Sequence, residues 1–185
     1  DDQKQHLELC RDIAQKFNSD FKATDFLKVP EPLIQKKFSR IMSLKDGMKK
    51  MSKSDPSDLA RINLTDEKDE IYNKIKKAKT DTKPMPTAIK DLLERPEAEN
   101  LLGIYSSLRN QKLENSINDF NGKQFSEFKE KLSEALIEKL EPISKEIKKL
   151  LNDEKYLDSI LLKGSEKADK IASKKIKEIK ELVGF

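Results

Sequence analysis

Residues 50–54 read Lys50-Met51-Ser52-Lys53-Ser54, and this stretch decides how the chain is interpreted. A glycine lies shortly before it and an Asp-Pro pair follows it, so we predict that the stretch forms a loop. Each lysine carries a mobile ammonium group with three donors, and serine hydroxyls and backbone N–H groups can add donors to phosphate oxygens. The loop therefore suits a polyphosphate ligand, although most lysine- and serine-rich runs are solvated surface.

A short apolar alternation, Arg40-Ile41-Met42-Ser43-Leu44, leads into this loop. We predict that it forms a β-strand with Ile41 as a core residue. The lysine loop would then lie at the C-terminal end of a strand, which is where ligands bind in open α/β sheets.

The string from Met42 to Asp58 resembles the KMSKS signature loop of the class I aminoacyl-tRNA synthetases. Other segments, in the same order along the chain, resemble the tryptophanyl branch of that family, in its bacterial and organellar form. These segments are Asp1-Asp2-Gln3-Lys4-Gln5-His6-Leu7-Glu8-Leu9, Arg61-Ile62-Asn63-Leu64-Thr65-Asp66, Ile75-Lys76-Lys77-Ala78-Lys79-Thr80-Asp81, Gly164-Ser165-Glu166-Lys167-Ala168 and Val183-Gly184-Phe185.

The resemblance implies an activity, tryptophan–tRNA ligation, and two catalytic residues, Lys50 and Lys53. The loop would close over ATP, and these lysines would neutralise its β- and γ-phosphates while the carboxylate of tryptophan attacks the α-phosphate. The resemblance further implies Mg²⁺ with the ATP, tRNA(Trp) as the acceptor, and a homodimer when the protein has full length.

Further nucleotide contacts also follow from the resemblance. Met51, Ser52 and Ser54 would help to hold the phosphates and the loop, and the backbone at Ile41 would approach the adenine. The opening residues Asp1, Asp2 and Gln3 correspond to a turn that contacts the ATP ribose and the activated amino acid; simple capping of the first helix is the alternative.

Members of this family begin with the first half of a Rossmann-type domain, which carries a HIGH-like motif and most of the tryptophan pocket. No HIGH-like tetrapeptide occurs here, and the single histidine, His6, lies in Gln-His-Leu. We therefore expect a C-terminal portion that is catalytically incomplete by itself. The alternatives are a non-catalytic helical RNA-binding or interaction fragment with a vestigial nucleotide loop, and a tyrosine-type synthetase, which the residues after Asp55 disfavour.

We predict a mainly α chain in which a remnant of the Rossmann-type α/β domain is followed by a helical bundle. The boundary would separate residues 1–63 from residues 64–185, and the resemblance assigns the second part to binding of the tRNA anticodon. Five helices are predicted from apolar periodicity. They cover residues 3–17, a segment capped by Thr65 or Asp66, a segment opened by Pro96, a long stripe from Phe125 to Leu150 that Pro142 should kink or split, and residues from about 165 to Gly184.

Composition limits the partners. With 39% charged residues, 38 bases against 34 acids and a net charge of +4, contacts with nucleic acid should come from local patches. The basic groups Lys74, Lys76, Lys77, Lys79 and Lys145, Lys148, Lys149 are either solvated surface or contacts to tRNA phosphates. The residues Arg109-Asn110-Gln111 either read bases or form a turn.

The single cysteine, Cys10, excludes an internal disulfide and gives no zinc pattern, and no metal ligands are predicted. Because Cys10 falls on the apolar side of the first helix, we interpret it as a buried, unreactive thiol. The sequence has no run of about 20 apolar residues and no visible signal peptide, so we expect a cytoplasmic protein.

Overall fold

The computed structural model describes residues 4–33, 38 and 40–185. Within these residues the secondary structure is helical, and an isolated antiparallel bridge joins Met42 to Lys50. The prediction of a mainly α chain is confirmed. The helices are α1 (Lys4–Asp20), α2 (Lys68–Lys76), α3 (Pro96–Leu108), α4 (Leu113–Asp119), α5 (Phe125–Leu151) and α6 (Glu154–Val183), with 3-10 turns at Asp58–Ala60 and Ile89–Leu92.

The chain divides into two compact units. The larger unit is Lys36–Lys149, and the smaller combines Asp1–Gln35 with Leu150–Phe185. The predicted functional boundary between residues 63 and 64 lies inside the larger unit and stays a prediction.

The core of the larger unit is built by the apolar faces of α2, α3 and α5. Phe128 is fully buried and lies edge-on to Phe120, with 4.9 Å between ring centroids, and to Tyr105, with 5.9 Å. Such edge-to-face pairs add stabilisation beyond the buried apolar area. The predicted apolar faces of these helices are confirmed by the buried residues Ile71, Ile75, Ala78, Leu101, Phe125, Phe128, Leu132 and Leu136.

An ion pair supports the start of α3. The Arg95 guanidinium donates to both carboxylate oxygens of Asp81 at 2.8 Å, donates to the Pro84 carbonyl at 2.9 Å, and lies over the Phe125 ring. Pro96 occupies the first turn of α3, as predicted, where its missing N–H costs nothing.

The smaller unit contains α1 and α6. After α1 the chain turns back because the Asn18 side chain exchanges two hydrogen bonds with the backbone of Leu27, at 2.8 and 2.9 Å. The Phe17 ring contacts Phe21 and Phe26. Helix α6 ends as predicted at Gly184, whose φ of 92° is a left-handed conformation that suits glycine.

Several predictions about the helices are wrong. Helix α5 continues through Pro142, so the predicted split is wrong, while the predicted kink stays a prediction. Helix α6 begins at Glu154 rather than near residue 165, because Asp153 caps it by accepting the Tyr156 N–H at 3.0 Å. Its apolar residues do not face inward: Ile171 is 75% exposed and Ile176 is 52% exposed.

Two further corrections concern helix ends and the cysteine. Helix α2 has Glu67 as its N-cap, and the Glu67 N–H donates to the Glu70 carboxylate at 2.7 Å, whereas Asp66 binds Lys74. Helix α1 extends to Asp20 rather than ending near residue 17. Cys10 is exposed, since Ala14 is the only buried residue among those that the structure describes in this helix. No helix in the described part of the chain is both long and apolar enough to span a membrane.

The Asp81–Arg95 pair gives a prediction about stability. Burial by itself raises the pKa of Asp81, but the hydrogen bonds from Arg95 and from the Lys83 backbone N–H, together with the Arg95 charge, outweigh it and hold the pKa below its ordinary value. We expect Asp81→Asn to lower the free energy of unfolding by about 1.5–3 kcal/mol at pH 7, the range for hydrogen bonds to charged groups. Denaturant titration at several pH values measures this change.

The pH dependence of that loss has a definite sign. The wild-type ion pair contributes fully above the unfolded-state pKa of about 3.9 and is lost as the pH falls through the lower folded-state pKa. The difference between wild type and Asp81→Asn should therefore shrink below about pH 4. Glu130→Gln, at an exposed position on α5, is the control and should change stability by less than about 0.5 kcal/mol. A loss that is constant from pH 7 to pH 3 would contradict the assignment.

Candidate active site

The lysine loop, residues 50–54, follows directly on a tight turn over residues 42–50. The Ser43 N–H donates to the Lys49 carbonyl at 2.8 Å, and the Met51 N–H donates to the Ile41 carbonyl at 3.0 Å. The strand predicted for residues 40–44 is wrong, because a strand needs a neighbouring strand and the described residues provide only this bridge. Ile41 is 45% exposed, so its side chain is not the predicted core residue.

A side chain of α3 takes the place of a neighbouring strand. The Met42 N–H donates to the Asn100 Oδ1 at 2.9 Å, and the Asn100 Nδ2 donates to the Met42 carbonyl at 2.9 Å. Asn100 is buried, so it presents one donor and one acceptor to this backbone away from water. Sequence reasoning missed Asn100, since an asparagine within a helix gives no sign of a partner 58 positions away.

The next residues of the turn are fixed from other directions. The Leu44 N–H donates to the Ala60 carbonyl at 2.9 Å, and the Lys79 N–H donates to the Leu44 carbonyl at 2.7 Å. The Leu44 side chain is buried in the core of the larger unit. Both polar backbone groups of Leu44 are therefore paired, as buried backbone requires.

Gly47 packs against the first turn of α3. A Cβ atom at this position would lie 2.6 Å from the Glu97 backbone nitrogen and 2.7 Å from the Pro96 carbonyl carbon, so a side chain cannot be accommodated without backbone movement. The Glu97 carboxylate accepts a hydrogen bond from the Lys79 ammonium, at 2.7 Å. This bond is the main cause that holds the pKa of Glu97 below its usual value.

The tip of the loop is open. Lys50, Lys53 and Ser54 are exposed, whereas Met51 and Ser52 are half-buried. The Ser52 and Ser54 hydroxyls lie 2.9 Å apart, and the Ser54 N–H donates to the Ser52 hydroxyl at 3.3 Å. The structure thus brings the five predicted phosphate-binding residues together at one exposed turn, and their roles toward ATP stay predictions.

Hydrogen bonds from the Arg61 side chain hold the segment that follows the loop in a turn. The Arg61 Nη1 donates to the Asp55 carbonyl at 2.8 Å and to the Ser57 carbonyl at 3.4 Å, and its Nε donates to the Asn63 side chain at 3.1 Å. Asp55 in turn accepts the Ser57 N–H at 2.8 Å. The loop therefore leaves its tip through a hydrogen-bonded turn.

The predicted basic groups are largely neutralised within the chain. Lys74 is buried and binds two carboxylates, so the solvated-surface interpretation is wrong for this residue. Lys76 and Lys77 are exposed. The remaining lysines have acid partners, in the pairs Lys79–Glu97, Lys145–Glu141, Lys148–Glu67 and Lys149–Glu146.

The residues Arg109-Asn110-Gln111 form the turn that ends α3. Arg109 donates to the Glu138 carboxylate at 2.7 Å, and Asn110 has a left-handed φ of 51°, which asparagine tolerates. The Gln111 amide donates to the Ser116 hydroxyl at 2.8 Å and to the Asp119 carboxylate at 3.1 Å. Turn formation thus accounts for these residues without a base contact.

One predicted group of site residues is not part of this geometry. Asp1, Asp2 and Gln3 lie outside the described residues. Among the described residues, no cluster of three or more His, Cys, Asp and Glu side chains could hold a metal ion.

Comparison with known proteins gives consistent matches. The family model described as tRNA synthetases class I (W and Y) matches residues 1–141. The chain is 52% identical over all 185 residues to the tryptophan–tRNA ligase of Caulobacter vibrioides and to that of Rickettsia felis, covering 54% and 55% of those proteins. It also matches the crystal structure of tryptophanyl-tRNA synthetase from Mycoplasma pneumoniae, with a TM-score of 0.82, 30% identity and 54% of that chain covered. The chain thus spans about half the length of these relatives.

The Asn100 contact can be tested directly by amide hydrogen exchange. In Asn100→Ala the Met42 N–H loses its acceptor, so we expect its exchange to accelerate about tenfold or more, equivalent to about 1.4 kcal/mol in the opening equilibrium. The Leu44 N–H, which donates to the Ala60 backbone, should change much less. Asn118→Ala, at an exposed position on α4, is the matched control. Equal acceleration at both amides would mean that Asn100 supports the whole fold rather than the base of the loop.

Proposed function

Because the chain belongs to the class I tRNA synthetases of the family that comprises the W and Y enzymes, we propose that it is the C-terminal part of a tryptophan–tRNA ligase. The observation that carries this proposal is the lysine loop, whose flanks are hydrogen-bonded to the fold while the Lys53 side chain is exposed at its tip. The similarity of the whole chain to relatives with that name supports the choice of tryptophan.

The first reaction step is the activation of tryptophan. Its carboxylate attacks the α-phosphate of ATP, the bond from the α-phosphorus to the bridging oxygen breaks, and pyrophosphate leaves with the charge that was shared along the polyphosphate. Lys50 and Lys53 meet that growing negative charge. Since the interaction is strongest in the transition state, it raises the rate rather than only the affinity.

Other groups complete the nucleotide site in this proposal. Ser52, Ser54 and the backbone around Met51 donate to phosphate oxygens, and the Ile41 backbone approaches the adenine. Mg²⁺ would be bound chiefly by the ATP phosphates, as is usual for this ion, and would offset their charge. Asp1, Asp2 and Gln3 would contact the ribose and the activated amino acid.

The second step transfers tryptophan to the 3′ end of tRNA(Trp). We assign residues 1–63 to the end of a Rossmann-like catalytic domain and residues 64–185 to binding of the anticodon. The relatives are about twice as long as this chain, so catalysis in this proposal belongs to the full-length protein, as a cytoplasmic homodimer, and not to the chain alone.

The role of Lys53 is tested in the full-length protein that carries this sequence. We expect Lys53→Ala to lower the rate of tryptophan activation about a hundredfold or more, because loss of one preorganised transition-state contact costs about 2.7–4 kcal/mol. Tryptophan affinity should change much less. Single-turnover adenylate formation and equilibrium tryptophan binding measure the two quantities.

Lys49→Ala is the matched control for this experiment. Lys49 is an exposed lysine of the same turn, and its ammonium lies 3.6 Å from the Asp46 carboxylate. Lys49→Ala and Lys53→Ala each remove one positive charge, so the two variants have the same net charge. Its rate should stay within about threefold of wild type, as expected for an exposed pair worth under about 1 kcal/mol. An unchanged rate in Lys53→Ala, or equal losses in both variants, would contradict the proposed role.

Binding of tRNA is tested with the chain itself. Because most of the described basic groups have acid partners, we expect weak binding that depends on few phosphate contacts. The logarithm of the affinity should fall with the logarithm of salt concentration with a slope no steeper than about −3, that is, three or so phosphates. Titrations with tRNA(Trp) and with the same tRNA carrying a changed anticodon, each at two salt concentrations, measure the slope and the specificity. Equal binding of both tRNAs at every salt concentration would contradict anticodon recognition by this region.

A further inference from the structure

Lys74 carries a buried charge that the proposed reaction does not use. Its side chain is 3% exposed, and its ammonium group lies 2.6 Å from the Asp66 Oδ2 and 2.7 Å from the Asp58 Oδ2. Burial by itself lowers the pKa of Lys74, but the hydrogen bonds from its ammonium to Asp58 and Asp66, together with the charges of these carboxylates, outweigh that effect and raise it. Lysine is almost never this buried unless it is paired, so the two carboxylates account for its position.

The two carboxylates belong to the segment that leaves the lysine loop. Asp58 lies near the start of that segment and Asp66 at its end, immediately before α2. Asn63 connects them: its N–H donates to the Asp66 Oδ2 at 2.9 Å, and its Nδ2 donates to the Asp58 Oδ1 and the Asp66 Oδ1, each at 3.1 Å. Arg61 extends the network to the Asp55 carbonyl, one residue after the loop tip.

Lys74 lies on α2, whose neighbouring side chains are anchored in the core. Ile71 and Ile75, on the same helix, are 1% and 0% exposed and pack into the core of the larger unit. The Lys129 ammonium donates to the Ala78 carbonyl just beyond the end of α2, at 2.6 Å. The Lys74 ammonium therefore connects α2 to residues 55–66, which we call the exit segment. It acts beside the Leu44 N–H bond to the Ala60 carbonyl, the Ser144 hydroxyl bond to the Thr65 carbonyl at 3.4 Å and the packing of Ile62 against the core.

We propose that Lys74 is a positioning residue for the phosphate loop, which holds the exit segment against α2 through Asp58 and Asp66 and thereby fixes where Lys50 and Lys53 stand. This inference rests on the proposed function of those two lysines. Asn100 fixes the turn that enters the loop, so with Lys74 in place both ends are anchored and residues 52–54 remain to adapt to the nucleotide. A displacement of about 1 Å in such a loop can cost about a hundredfold in rate.

The anchoring is tested first on this chain, without reference to catalysis. In Lys74→Met the length of the side chain is kept and the charge is removed. We expect amide exchange at Asn63 and Ala60, both in the exit segment, to accelerate at least tenfold, whereas Met42, held by Asn100, keeps its rate. Lys76→Met, at an exposed lysine of the same helix, should leave all three unchanged. Unchanged exchange in the exit segment of Lys74→Met would overturn the proposal.

The effect on catalysis is tested in the full-length protein by separating rate from stability. Lys74→Met leaves the buried Asp66 carboxylate without its cationic partner, whereas Asp58 keeps the Arg61 guanidinium at 3.0 Å. The variant should lower both the stability and the rate of adenylate formation, the latter about tenfold to a hundredfold. The double variant Lys74→Met, Asp66→Asn removes the uncompensated charge and keeps the Arg61–Asp58 pair. Its stability should recover, because replacing both members of a buried ion pair is far less costly than removing one. Its rate should stay low, because the tether is still missing.

The outcomes separate this inference from the function on which it rests. If stability and rate recover together in the double variant, Lys74 serves only stability and the positioning role is overturned. If Lys53→Ala is inactive and Lys74→Met loosens the exit segment but activates tryptophan at the wild-type rate, the proposed function stands and the inference fails. If Lys53→Ala has no effect, the proposed function itself fails.

Discussion

The backbone polar groups of residues 42–66 must find hydrogen-bond partners although the described residues contain no β-sheet around them. A buried N–H or C=O group without a partner costs about as much as a lost hydrogen bond, so this requirement limits how the segment can fold. The Asn100 amide serves Met42, backbone groups of Ala60 and Lys79 serve Leu44, and the Arg61 guanidinium serves Asp55. The turn that carries the lysine loop thus depends on side chains from α3 and on contacts within its own segment.

Charge is used in two ways in the larger unit. Lys74, Arg95 and Lys79 are paired with acids and connect segments that are far apart in sequence. Lys53 is instead exposed at the loop tip, where a polyphosphate can reach it. The 38 basic residues are nearly balanced by 34 acids, for a net charge of +4, and this division still lets the chain present a local cationic loop. It also means that counting lysines along the sequence overstates the surface available to tRNA.

Sequence periodicity predicted the buried faces of α2, α3 and α5, because apolar spacing follows directly from helix geometry. Periodicity wrongly predicted a strand at Arg40–Leu44 and a buried apolar face on α6. Alternation and amphipathicity show which side of a segment prefers an apolar neighbour, but they do not show whether the described residues supply that neighbour. The loop itself was found from its residues and their resemblance to a family. Its anchors were not found, because Asn100 and Lys74 act through partners brought together by the fold, and a lone polar residue in a helix carries no sign of them.

The central claim is that this loop belongs to an enzyme that activates tryptophan with ATP. The most direct measurement is amino-acid-dependent exchange of pyrophosphate into ATP, with tryptophan or tyrosine as the amino acid, for the full-length protein and for this chain alone. The account predicts exchange with tryptophan by the full-length protein, little or none with tyrosine, and none by the isolated chain. Exchange driven by tyrosine, robust exchange by the isolated chain, or no exchange by a folded full-length protein would contradict it.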